Sequence, residues 1–332
     1  MRTNDLLPDI APSLLVIIVN YRTGSLTLDC LHSLFSGNNL PYGGRVIVAD
    51  ADSNDGSDEM IRAAIASEGW FNRAYLLPLQ VNKGFSFANN RALEWGIKHL
   101  GRPRYVLYLN PDTIVRPGAL QPLLDFLNQH SRAGIVGAQL EDPDGTPQAC
   151  AFRFPSMLGE LESEARIGPI SRALSRSVTA LPFSIEPIPV EWVSGAALLS
   201  RMELLEEIGL FDEDYFLYFE EVDFCRRAAR AHWQCWHVPQ SHIVHLVGCS
   251  TGVTKKASRR RRPSYWFNSR YKYYLKYHGR IYVALCDLAW FAGHLLCRLR
   301  RTTERKPQNF PAHLLGDFFA HSMKTWFGRV QN

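Results

Sequence analysis

The sequence predicts an α/β protein with a doubly wound, mostly parallel β-sheet. Short runs that are apolar almost throughout, at 14–19, 45–50 and 105–109, alternate with longer stretches of helical spacing, which is the element order of a parallel sheet. Strands of this composition are typically covered by helices on both faces. Asp50 ends the second run and Asp112 follows the third. Such sheets bind ligands at the carboxyl ends of their strands, so both carboxylates are candidate site residues.

The predicted elements follow one another in a regular order, and each of the first four strands is followed by a helix. Strands are predicted at 14–19, 45–50, 74–79, 105–109, 134–139 and 190–200, and helices at 25–36, 58–68, 85–99, 119–129, 202–208 and 218–231. Asn110-Pro111 follows the strand at 105–109. Because proline cannot donate to a sheet, we expect the chain to leave the sheet there and to place Asp112 above the ligand crevice. The alternative is that Asp112 only starts a turn.

The composition indicates a globular protein with two differently charged parts. The 332 residues are 46% hydrophobic and 21% charged, which excludes a disordered or fibrous chain. Residues 1–252 carry 20 Lys/Arg against 29 Asp/Glu, whereas residues 253–332 carry 17 against 3. We therefore expect a main domain at 1–252 and a basic tail at 253–332. Within the main domain, the proline-rich stretch 141–189, with a short helical part near 157–176, is predicted to be a mobile insertion over the crevice.

Neither the cysteines nor the N-terminus indicates export. The seven cysteines form no Cys-x-x-Cys pair and no cluster with metal-ligand spacing, which is typical of reduced cytosolic thiols. Asp5 and Asp9 precede the apolar run at 14–19, and that run has only the length of a strand, so it is not a signal peptide. We expect the chain to begin inside the cell.

Several common cofactor and nucleophile motifs are missing from the sequence. It contains no Gly-x-Gly-x-x-Gly, Gly-x-x-x-x-Gly-Lys, His-Glu-x-x-His or Gly-x-Ser-x-Gly, so dehydrogenase, P-loop NTPase and α/β-hydrolase functions lack support. The remaining polar groups are Asp50, Asp112, the acidic set Glu220-Glu221-Val222-Asp223, and His245. Two carboxylate clusters and a histidine are the side chains expected of a site with one metal ion and one general base. An inverting displacement at a phosphorylated carbon needs both, with the base on the incoming hydroxyl and the cation on the departing phosphate.

Eight ordered blocks together carry a resemblance to a known family. They are Val19-Asn20-Tyr21, Asp50-Ala51-Asp52-Ser53-Asn54-Asp55-Gly56-Ser57, Asn82-Lys83-Gly84-Phe85 with Ala88-Asn89-Asn90, Leu109-Asn110-Pro111-Asp112, Ser194-Gly195-Ala196, Gly209-Leu210-Phe211-Asp212-Glu213, Glu220-Glu221-Val222-Asp223-Phe224-Cys225-Arg226-Arg227, and His245-Leu246-Val247-Gly248-Cys249-Ser250. Over residues 14–250 the sequence resembles the family 2 inverting glycosyltransferases of the GT-A fold, and most of all their rhamnosyltransferase-type branch. The resemblance implies a nucleotide-sugar-binding half at 14–115 and an acceptor-binding, catalytic half at 116–252.

The resemblance implies a site for a nucleotide-sugar donor. Asp50 matches the family's acid that hydrogen-bonds the nucleotide base, and Asn20 and Tyr21 would line the same pocket. Lys83 and Asn89 would reach the ribose or the diphosphate. The full set of expected donor-binding residues is Asn20, Tyr21, Asp50, Asp52, Lys83, Gly84, Asn89 and Asn110. Strand-end packing is the alternative role for Asp50 and Asn20, and solvation at the surface is the alternative for Lys83 and Asn89.

The resemblance also implies a divalent cation, Mg²⁺ or Mn²⁺. Asp112 matches the second acid of the family's metal motif. Asn110 stands at the first acidic position, as is common in this branch, so the site has fewer charges than usual. We therefore expect His245 and the diphosphate oxygens to complete the coordination of the cation. The alternative for His245 is a packed histidine beside His242.

The largest departure from the family pattern lies at the general base. The family presents Glu-Asp, with Asp as the base, and this chain presents Glu220-Glu221. Glu221 is one methylene longer, so its carboxylate must be drawn back to reach the same hydroxyl. Asp223 lies two residues later, about 200° around a helix, and faces elsewhere. We expect Glu221 to be the base and keep Asp223 as the second candidate; helix N-terminal charge complementation is the alternative for this acidic set.

The expected reaction moves a sugar onto a lipid-carried acceptor. Trp192, Ser194, Gly195 and Glu220 match the acceptor side, and a core tryptophan is the alternative for Trp192. The resemblance implies the transfer of a sugar, L-rhamnose from dTDP-L-rhamnose or a sugar from a UDP-sugar donor, onto a cell-envelope or exopolysaccharide acceptor. A catalytically weak nucleotide-sugar-binding scaffold at the membrane is the alternative function. A sugar-1-phosphate nucleotidyltransferase is disfavoured because residues 21–25 do not form its glycine-rich, basic loop.

The tail predicts peripheral attachment to the cytoplasmic face of the inner membrane. Residues 255–262 hold six cations in eight positions, and aromatic residues interleaved with cations follow at 265–277, a pattern typical of an anionic interface. The apolar run 281–297 is 17 residues long and contains Asp287 and His294. It is short for a bilayer span, although a transmembrane helix stays the alternative. The acidic body argues against nucleic acid as a partner.

Overall fold

A computed structural model describes residues 11–36, 39–246, 261–305 and 310–328. The strands are β1 (Leu14–Asn20), β2 (Arg45–Asp50), β3 (Ala74–Pro78), β4 (Tyr105–Leu109), β5 (Thr113–Val115), β6 (Ala133–Glu141), β7 (Ala151–Phe152), β8 (Ile188–Val190), β9 (Trp192–Val193), β10 (Ala197–Arg201) and β11 (Gln234–His245). The helices are α1 (Gly24–Phe35), α2 (Ser57–Ser67), α3 (Phe85–Leu100), α4 (Leu120–Gln129), α5 (Met157–Ala165), α6 (Gly168–Ala173), α7 (Met202–Ile208), α8 (Glu220–Arg230), α9 (Ser264–Thr303) and α10 (Leu314–Phe327).

One central sheet organises the described part of the chain. Its order is β3-β2-β1-β4-β10-β6-β11-β5, and β8 pairs with β11. The strands β3, β2, β1 and β4 run parallel, as do β6 and β11, whereas β10 lies antiparallel between β4 and β6. Parallel strands place their carboxyl ends at one edge, so the ends of β1, β2 and β4 meet there.

The sheet is covered on both faces, which confirms the doubly wound α/β fold. Along β1, Leu14, Val16 and Ile18 pack in one core with buried residues of α1 and α4. Leu15 and Ile17 pack in a second core with buried residues of α3, α7 and α8. Because side chains alternate along a strand, a strand buried on both faces must be apolar at every position. This explains why β1 could be predicted from its composition.

Two predictions about the strands are wrong. The fourth strand is not followed by a helix as its next element: the short strand β5, which was not predicted, comes before the expected helix α4 and returns to the sheet antiparallel to β11. The single strand predicted at 190–200 is three strands, and the turn at 194–196 separates β9 from β10. In this turn the backbone N–H of Ser194 donates to Cys150 O, and Ala196 O accepts from the N–H of Asn110.

The C-terminal helices pack on the segment that was predicted to be an insertion. Helix α9 is interrupted at Gly279, whose φ of 81° favours glycine. After this kink α9 crosses α5 so closely that a Cβ on Gly293 would lie 2.6 Å from Leu161 O. The buried Arg270 bridges the kink, since it pairs with Glu160 of α5 at 2.9 Å and with Asp287 of α9 at 2.6 Å. Helices α5 and α9 therefore stabilise each other's position through close packing and buried ion pairs.

Some predictions concern residues outside the described ranges. These are Asp5 and Asp9 before the first strand, residues 247–250 of the last sequence block with Cys249, and the cations at 255–260. The division into a main domain and a tail, and the mobility of 141–189, remain predictions.

Candidate active site

The ends of β1 and β2 hold a buried carboxylate with a nearly complete set of donors. Asn20 and Asp50 are paired in the sheet register. Asn20 Nδ2 donates to Asp50 Oδ1 at 2.6 Å, and the hydroxyl and backbone N–H of Ser53 donate to the same carboxylate at 2.6 and 3.1 Å. The Asn20 side-chain oxygen accepts hydrogen bonds from Thr23 and Thr27. Both oxygens of Asp50 are thus fixed before any ligand binds.

An open cavity of about 430 Å³ lies beside this carboxylate. It is lined by Asp50, Asp52, Ser53, Asn54, Gly56, Asp58, Glu59, Pro78, Leu79 and Gln80. Tyr21, which follows Asn20, is exposed, and the Arg22 guanidinium lies 5.2 Å from the Tyr21 ring centre. Arg22 Nε donates to Ser53 O at 3.0 Å. Arg22 and Ser53 were not among the predicted site residues, although Ser53 lies within one of the sequence blocks.

The segment before α3 is placed by a glycine. Gly84 has a φ of 97°, and a Cβ there would lie 2.2 Å from Phe216 O. The next N–H, of Phe85, donates to the same oxygen at 2.7 Å. Gly84 therefore allows the start of α3 to contact the loop before α8. Lys83 beside it is exposed, with its ammonium 5.3 Å from the Phe87 ring centre.

The two asparagines of α3 are both buried. Asn90 donates to Phe211 O at 2.8 Å and accepts from the N–H of Phe211 at 3.1 Å, so it holds the loop before α8. Asn89 Nδ2 donates to Phe85 O at 2.9 Å, and its side-chain oxygen has no hydrogen-bond partner within the described ranges. A contact of Asn89 with the donor remains a prediction.

The Asp112 carboxylate, after β4, and the His245 imidazole, at the end of β11, lie close together. The N–H of Leu246 donates to Asp112 O at 2.9 Å, which brings the end of β11 beside Asp112. His245 Nε2 lies 3.6 Å from Asp112 Oδ1. Burial lowers the pKa of His245, although the Asp112 charge acts in the opposite direction. The imidazole is therefore neutral near pH 7, as metal ligation requires.

This pair fits a divalent cation that is completed by substrate. Mg²⁺ is typically bound by one or two carboxylates together with water and substrate phosphate oxygens. Between residues 11 and 328, in the parts that the structure describes, no group of three or more His, Cys, Asp and Glu side chains could hold a metal. Asp112 and His245 would thus be the protein's share of the ligands. Asn110, half-buried, is held beside them by its N–H donating to Ala196 O at 2.9 Å.

Helix α8 begins after two strained residues. Tyr218 and Phe219 both have a φ of 70°, a conformation that costs of order 1–3 kcal/mol for each non-glycine residue. Such strain is typical of functional sites. It places Glu220 and Glu221 in the first turn of α8, next to the turn at Gly195, where an added Cβ would lie 3.5 Å from Glu221 Cβ and 3.8 Å from Glu221 Cδ.

The carboxylates of Glu220 and Glu221 are shielded from solvent but have few hydrogen-bond donors to stabilise their charge. Burial raises the pKa of Glu221 to about 7, against the helix N–H groups that lower it. Burial, followed by the nearby Glu221 charge, raises the pKa of Glu220 well above its ordinary range. In each side chain Oε2 is shielded from solvent and accepts no hydrogen bond from the residues that the structure describes. A carboxylate with a pKa near 7 and a free lone pair suits a general base.

Asp223 lies in the opposite environment. It has no solvent exposure, and its carboxylate pairs with Arg227 Nε at 2.8 Å and with Lys276 Nζ at 2.7 Å. The hydroxyl of Tyr277 also donates to it, at 2.8 Å. A carboxylate with these partners is not placed to take a proton from a substrate, so the structure argues against Asp223 as the base. Instead Asp223 joins α8 to α9.

The predicted acceptor residues differ in their surroundings. Trp192 is half-buried, its ring stacks on Phe152 with centres 4.1 Å apart, and its N–H donates to Arg153 O at 2.8 Å. One ring face and the polar edge are therefore already in contact with protein. Ser194 Oγ accepts from the N–H of Ala196 at 3.3 Å and closes the turn beside Glu221.

Comparisons with known proteins agree with this architecture. The family model described as glycosyl transferase family 2 matches residues 15–152. The N-acetylglucosaminyl-diphospho-decaprenol L-rhamnosyltransferase of Mycobacterium tuberculosis (strain ATCC 25618 / H37Rv) is 32% identical over 246 residues, which cover 71% of this chain and 77% of that protein. Rhamnosyltransferase WbbL of Escherichia coli (strain K12) is 26% identical over 169 residues, covering 49% and 61%.

A solved structure shares the fold. The mannosyltransferase PcManGT from Pyrobaculum calidifontis, in complex with GDP-Man and Mn²⁺, superposes with a TM-score of 0.54 and 15% identity, covering 97% of this chain and 89% of that one. The fold of this chain is therefore GT-A-like. This chain belongs to glycosyltransferase family 2, and it is similar to the rhamnosyltransferases of that family.

Proposed function

We propose that this enzyme transfers L-rhamnose from dTDP-L-rhamnose, with inversion, to a lipid-linked acceptor in cell-envelope or exopolysaccharide synthesis. Two relatives named as rhamnosyltransferases support the sugar, and the name of the mycobacterial relative describes a GlcNAc-diphospho-decaprenol substrate. The observation that carries the chemistry is the Glu221 carboxylate, which has a pKa of about 7 and an oxygen without a protein partner in the described ranges.

In the proposed reaction one proton is transferred to the enzyme and one leaving group departs. Glu221 accepts the proton of the acceptor hydroxyl as that oxygen attacks the anomeric carbon. The bond from the anomeric carbon to the nucleoside diphosphate breaks on the opposite face, so the configuration inverts. The turn at Ser194 and Gly195 lies against Glu221 and would position the acceptor hydroxyl. Glu220, the neighbouring carboxylate, would face the same acceptor.

The donor is proposed to lie along the sheet edge. Asp50, held by Asn20 and Ser53, would accept a hydrogen bond from the nucleotide base, with Tyr21 and Asp52 beside the base or ribose. Asp112 and His245 would hold Mg²⁺ or Mn²⁺. Such a cation neutralises charge on the departing diphosphate. Lys83, exposed at the start of α3, is available for the diphosphate as well.

The proposed location is the cytoplasmic face of the membrane that carries the acceptor. The composition of the tail supports this location, since residues 253–332 carry 17 Lys/Arg against 3 Asp/Glu. We also propose residues 1–252 as the catalytic domain and 253–332 as its membrane-associating extension.

A donor panel tests the proposal. The purified chain is incubated with dTDP-, UDP- and GDP-sugars, Mg²⁺ or Mn²⁺, and a prenyl-diphosphate-linked GlcNAc acceptor, and products are identified by mass spectrometry and NMR. The expected result is a rhamnosylated acceptor from dTDP-L-rhamnose, with an anomeric configuration opposite to that of the donor. Retention of configuration contradicts the assigned mechanism. Tight donor binding without turnover on any acceptor would instead favour a binding scaffold.

A further inference from the structure

The part of α9 after Gly279 carries an exposed apolar stripe. Ile281, Leu285, Leu288, Leu295 and Leu299 are spaced by four, three, seven and four residues, so they share one side of the helix. All five side chains are exposed, Ile281 by 81%. Isolated exposed leucines are ordinary, but a stripe over five turns indicates a surface that binds something.

The opposite side of the same helix is already packed. Cys286, Trp290, Gly293 and Cys297 are buried there. Trp290 stacks on Phe318 of α10 with ring centres 4.0 Å apart. The folded chain therefore uses one apolar side of α9 for its own core, and the exposed stripe is a second apolar side.

Helix α10 extends this surface. Phe319 is exposed beside α9, with its ring centre 6.2 Å from that of Phe291. Phe327, two turns further along α10, is 78% exposed. We call the surface formed by Ile281, Leu285, Leu288, Leu295, Leu299 and Phe319 the docking face.

Exposed cations lie at both ends of the docking face. Arg280 stands at its start, Arg298 and Arg305 at its end, and Lys324 on α10. If two copies of the chain paired through this face, cations would meet cations at the ends whether the helices ran parallel or antiparallel. Anionic headgroups instead complement an apolar stripe with basic ends.

The buried contacts of α9 favour an orientation along the membrane surface. By length and composition alone, Ser264–Thr303 could also cross a membrane. However, Asp287 pairs with Arg270 and accepts from Trp326 Nε1 at 3.0 Å, and His294 lies 3.2 Å from Glu164. A spanning helix would take Asp287 and His294 away from these partners and into hydrocarbon, which is costly.

We propose that the docking face inserts into the headgroup region of an anionic membrane, with α9 lying along the surface. The same helix holds α8 through the contacts of Lys276 and Tyr277 with Asp223. Docking would therefore set the height and direction of Glu221 relative to the bilayer. The benefit for catalysis rests on the proposed lipid-linked acceptor, whereas membrane binding itself does not.

Vesicle sedimentation of the full chain tests the docking face. We compare phosphatidylglycerol–phosphatidylcholine vesicles with pure phosphatidylcholine vesicles, using the parent, the double variant Leu288→Gln/Leu295→Gln, and the control Tyr42→Gln/Phe71→Gln. The control removes two exposed apolar side chains from loops far from the tail in sequence. We expect the docking-face variant to lose about tenfold or more of its partitioning to anionic vesicles, and the control to bind like the parent.

Several results would overturn the proposal. These are unchanged binding of Leu288→Gln/Leu295→Gln, equal binding of the parent to both vesicle types, and retention on membranes after alkaline carbonate extraction, which indicates a span. A lipid-free dimer that the same variant dissociates would identify a second copy as the occupant.

Circular dichroism verifies that the variants fold, and Ile281→Gln/Leu299→Gln serves as an independent pair of substitutions in the docking face. Glu221→Gln should bind vesicles like the parent, so loss of transfer alone counts against the proposed function and not against docking.

Discussion

The buried carboxylates at the two ends of the candidate site differ in how completely they are hydrogen-bonded. At the nucleotide side, Asp50 accepts hydrogen bonds from Asn20 and from two groups of Ser53. At the start of α8, Glu220 and Glu221 each have an oxygen without a partner among the described residues. A carboxylate that three hydrogen bonds hold in place is a rigid part of a binding wall and keeps a lone pair for one further donor. One that is buried with an oxygen that accepts no hydrogen bond holds a proton more tightly and is available for proton transfer.

The same contrast occurs within α8 itself. Asp223, two residues after Glu221, has Arg227, Lys276 and Tyr277 as partners. Two residues turn the helix by about 200°, so Glu221 and Asp223 face opposite sides. One helix thus presents a carboxylate with an unpartnered oxygen to the turn at Gly195 and an ion-paired carboxylate to α9. The following predictions test whether this division of roles is correct.

The largest effect is expected for Glu221→Gln. A neutral amide cannot accept the acceptor proton, so kcat should fall by about a thousandfold, within the range known for general bases. Donor affinity should stay within a factor of about three, because Glu221 is assigned to the acceptor. Steady-state kinetics and calorimetric titration of the donor measure the two quantities.

The matched control for this prediction is Glu220→Gln on the adjacent residue. It should reduce kcat much less than Glu221→Gln does, because Glu220 is assigned to acceptor contact and not to proton transfer. If Glu221→Gln keeps more than a tenth of the parent kcat, or if Glu220→Gln is the more damaging of the two, the assignment of the base is wrong.

The second prediction concerns Asp112→Asn. It removes the carboxylate from the pair with His245, so donor-dependent turnover should fall by about a hundredfold. Nucleoside diphosphate should also bind more weakly in the presence of Mg²⁺ or Mn²⁺, and this difference should disappear with EDTA. Calorimetry with and without the cation measures it. The exposed Asp125→Asn is the control, and a rate above half the parent value for Asp112→Asn would contradict the metal assignment.

The third prediction separates Asp223 from Glu221 by stability. Asp223→Asn leaves Arg227 and Lys276 facing an amide, so the free energy of unfolding should fall by about 3 kcal/mol, as for other broken buried ion pairs. Thermal denaturation should show a decrease in Tm of several degrees. Asp214→Asn is the control, since its partner Lys272 lies 4.0 Å away at the surface. An unchanged Tm for Asp223→Asn would show that the link between α8 and α9 is weak.

The parallel half of the fold could be predicted from the sequence because its strands are buried on both faces. The limits of β1, β2 and β4 were predicted to within one residue. In contrast, β11 contains Gln234, His237, Pro239 and His242, so it lacks a strand pattern, and its pairing with β6 shifts register between Val238 and His242. Proline is tolerated at such a bulge. The sheet context, which the sequence does not reveal, makes this segment a strand.

Prediction of the candidate site from the sequence has the same limit, because it misses contacts between distant parts of the chain. Asp50 ends a predicted strand, Asp112 follows one and Glu221 lies near the start of a predicted helix, and the resemblance to the family implied their roles. The contacts that distinguish Asp223 from Glu221 come from partners that are distant in the sequence, namely Lys276 and Tyr277 of α9. No local pattern indicates a contact across more than 50 positions, so only the folded chain assigns Asp223 its structural role.

The last prediction concerns the dependence of the rate and of the stability on pH. The reactive form of Glu221 is ionised, and burial raises its pKa to about 7. The value of kcat/KM should therefore rise about tenfold per pH unit below 7 and level off above it. The free energy of unfolding should depend on pH in the opposite direction. Because the folded state holds this proton more tightly than the unfolded state, whose pKa is the ordinary 4.5, the free energy of unfolding should decrease as pH rises from 4.5 to 7. Glu221→Gln should remove this contribution and make Tm less dependent on pH over that window. A rate profile that levels off near pH 5 would instead place the ionisation of the base within the ordinary range, and the contrast with Asp50 would then lose its chemical meaning.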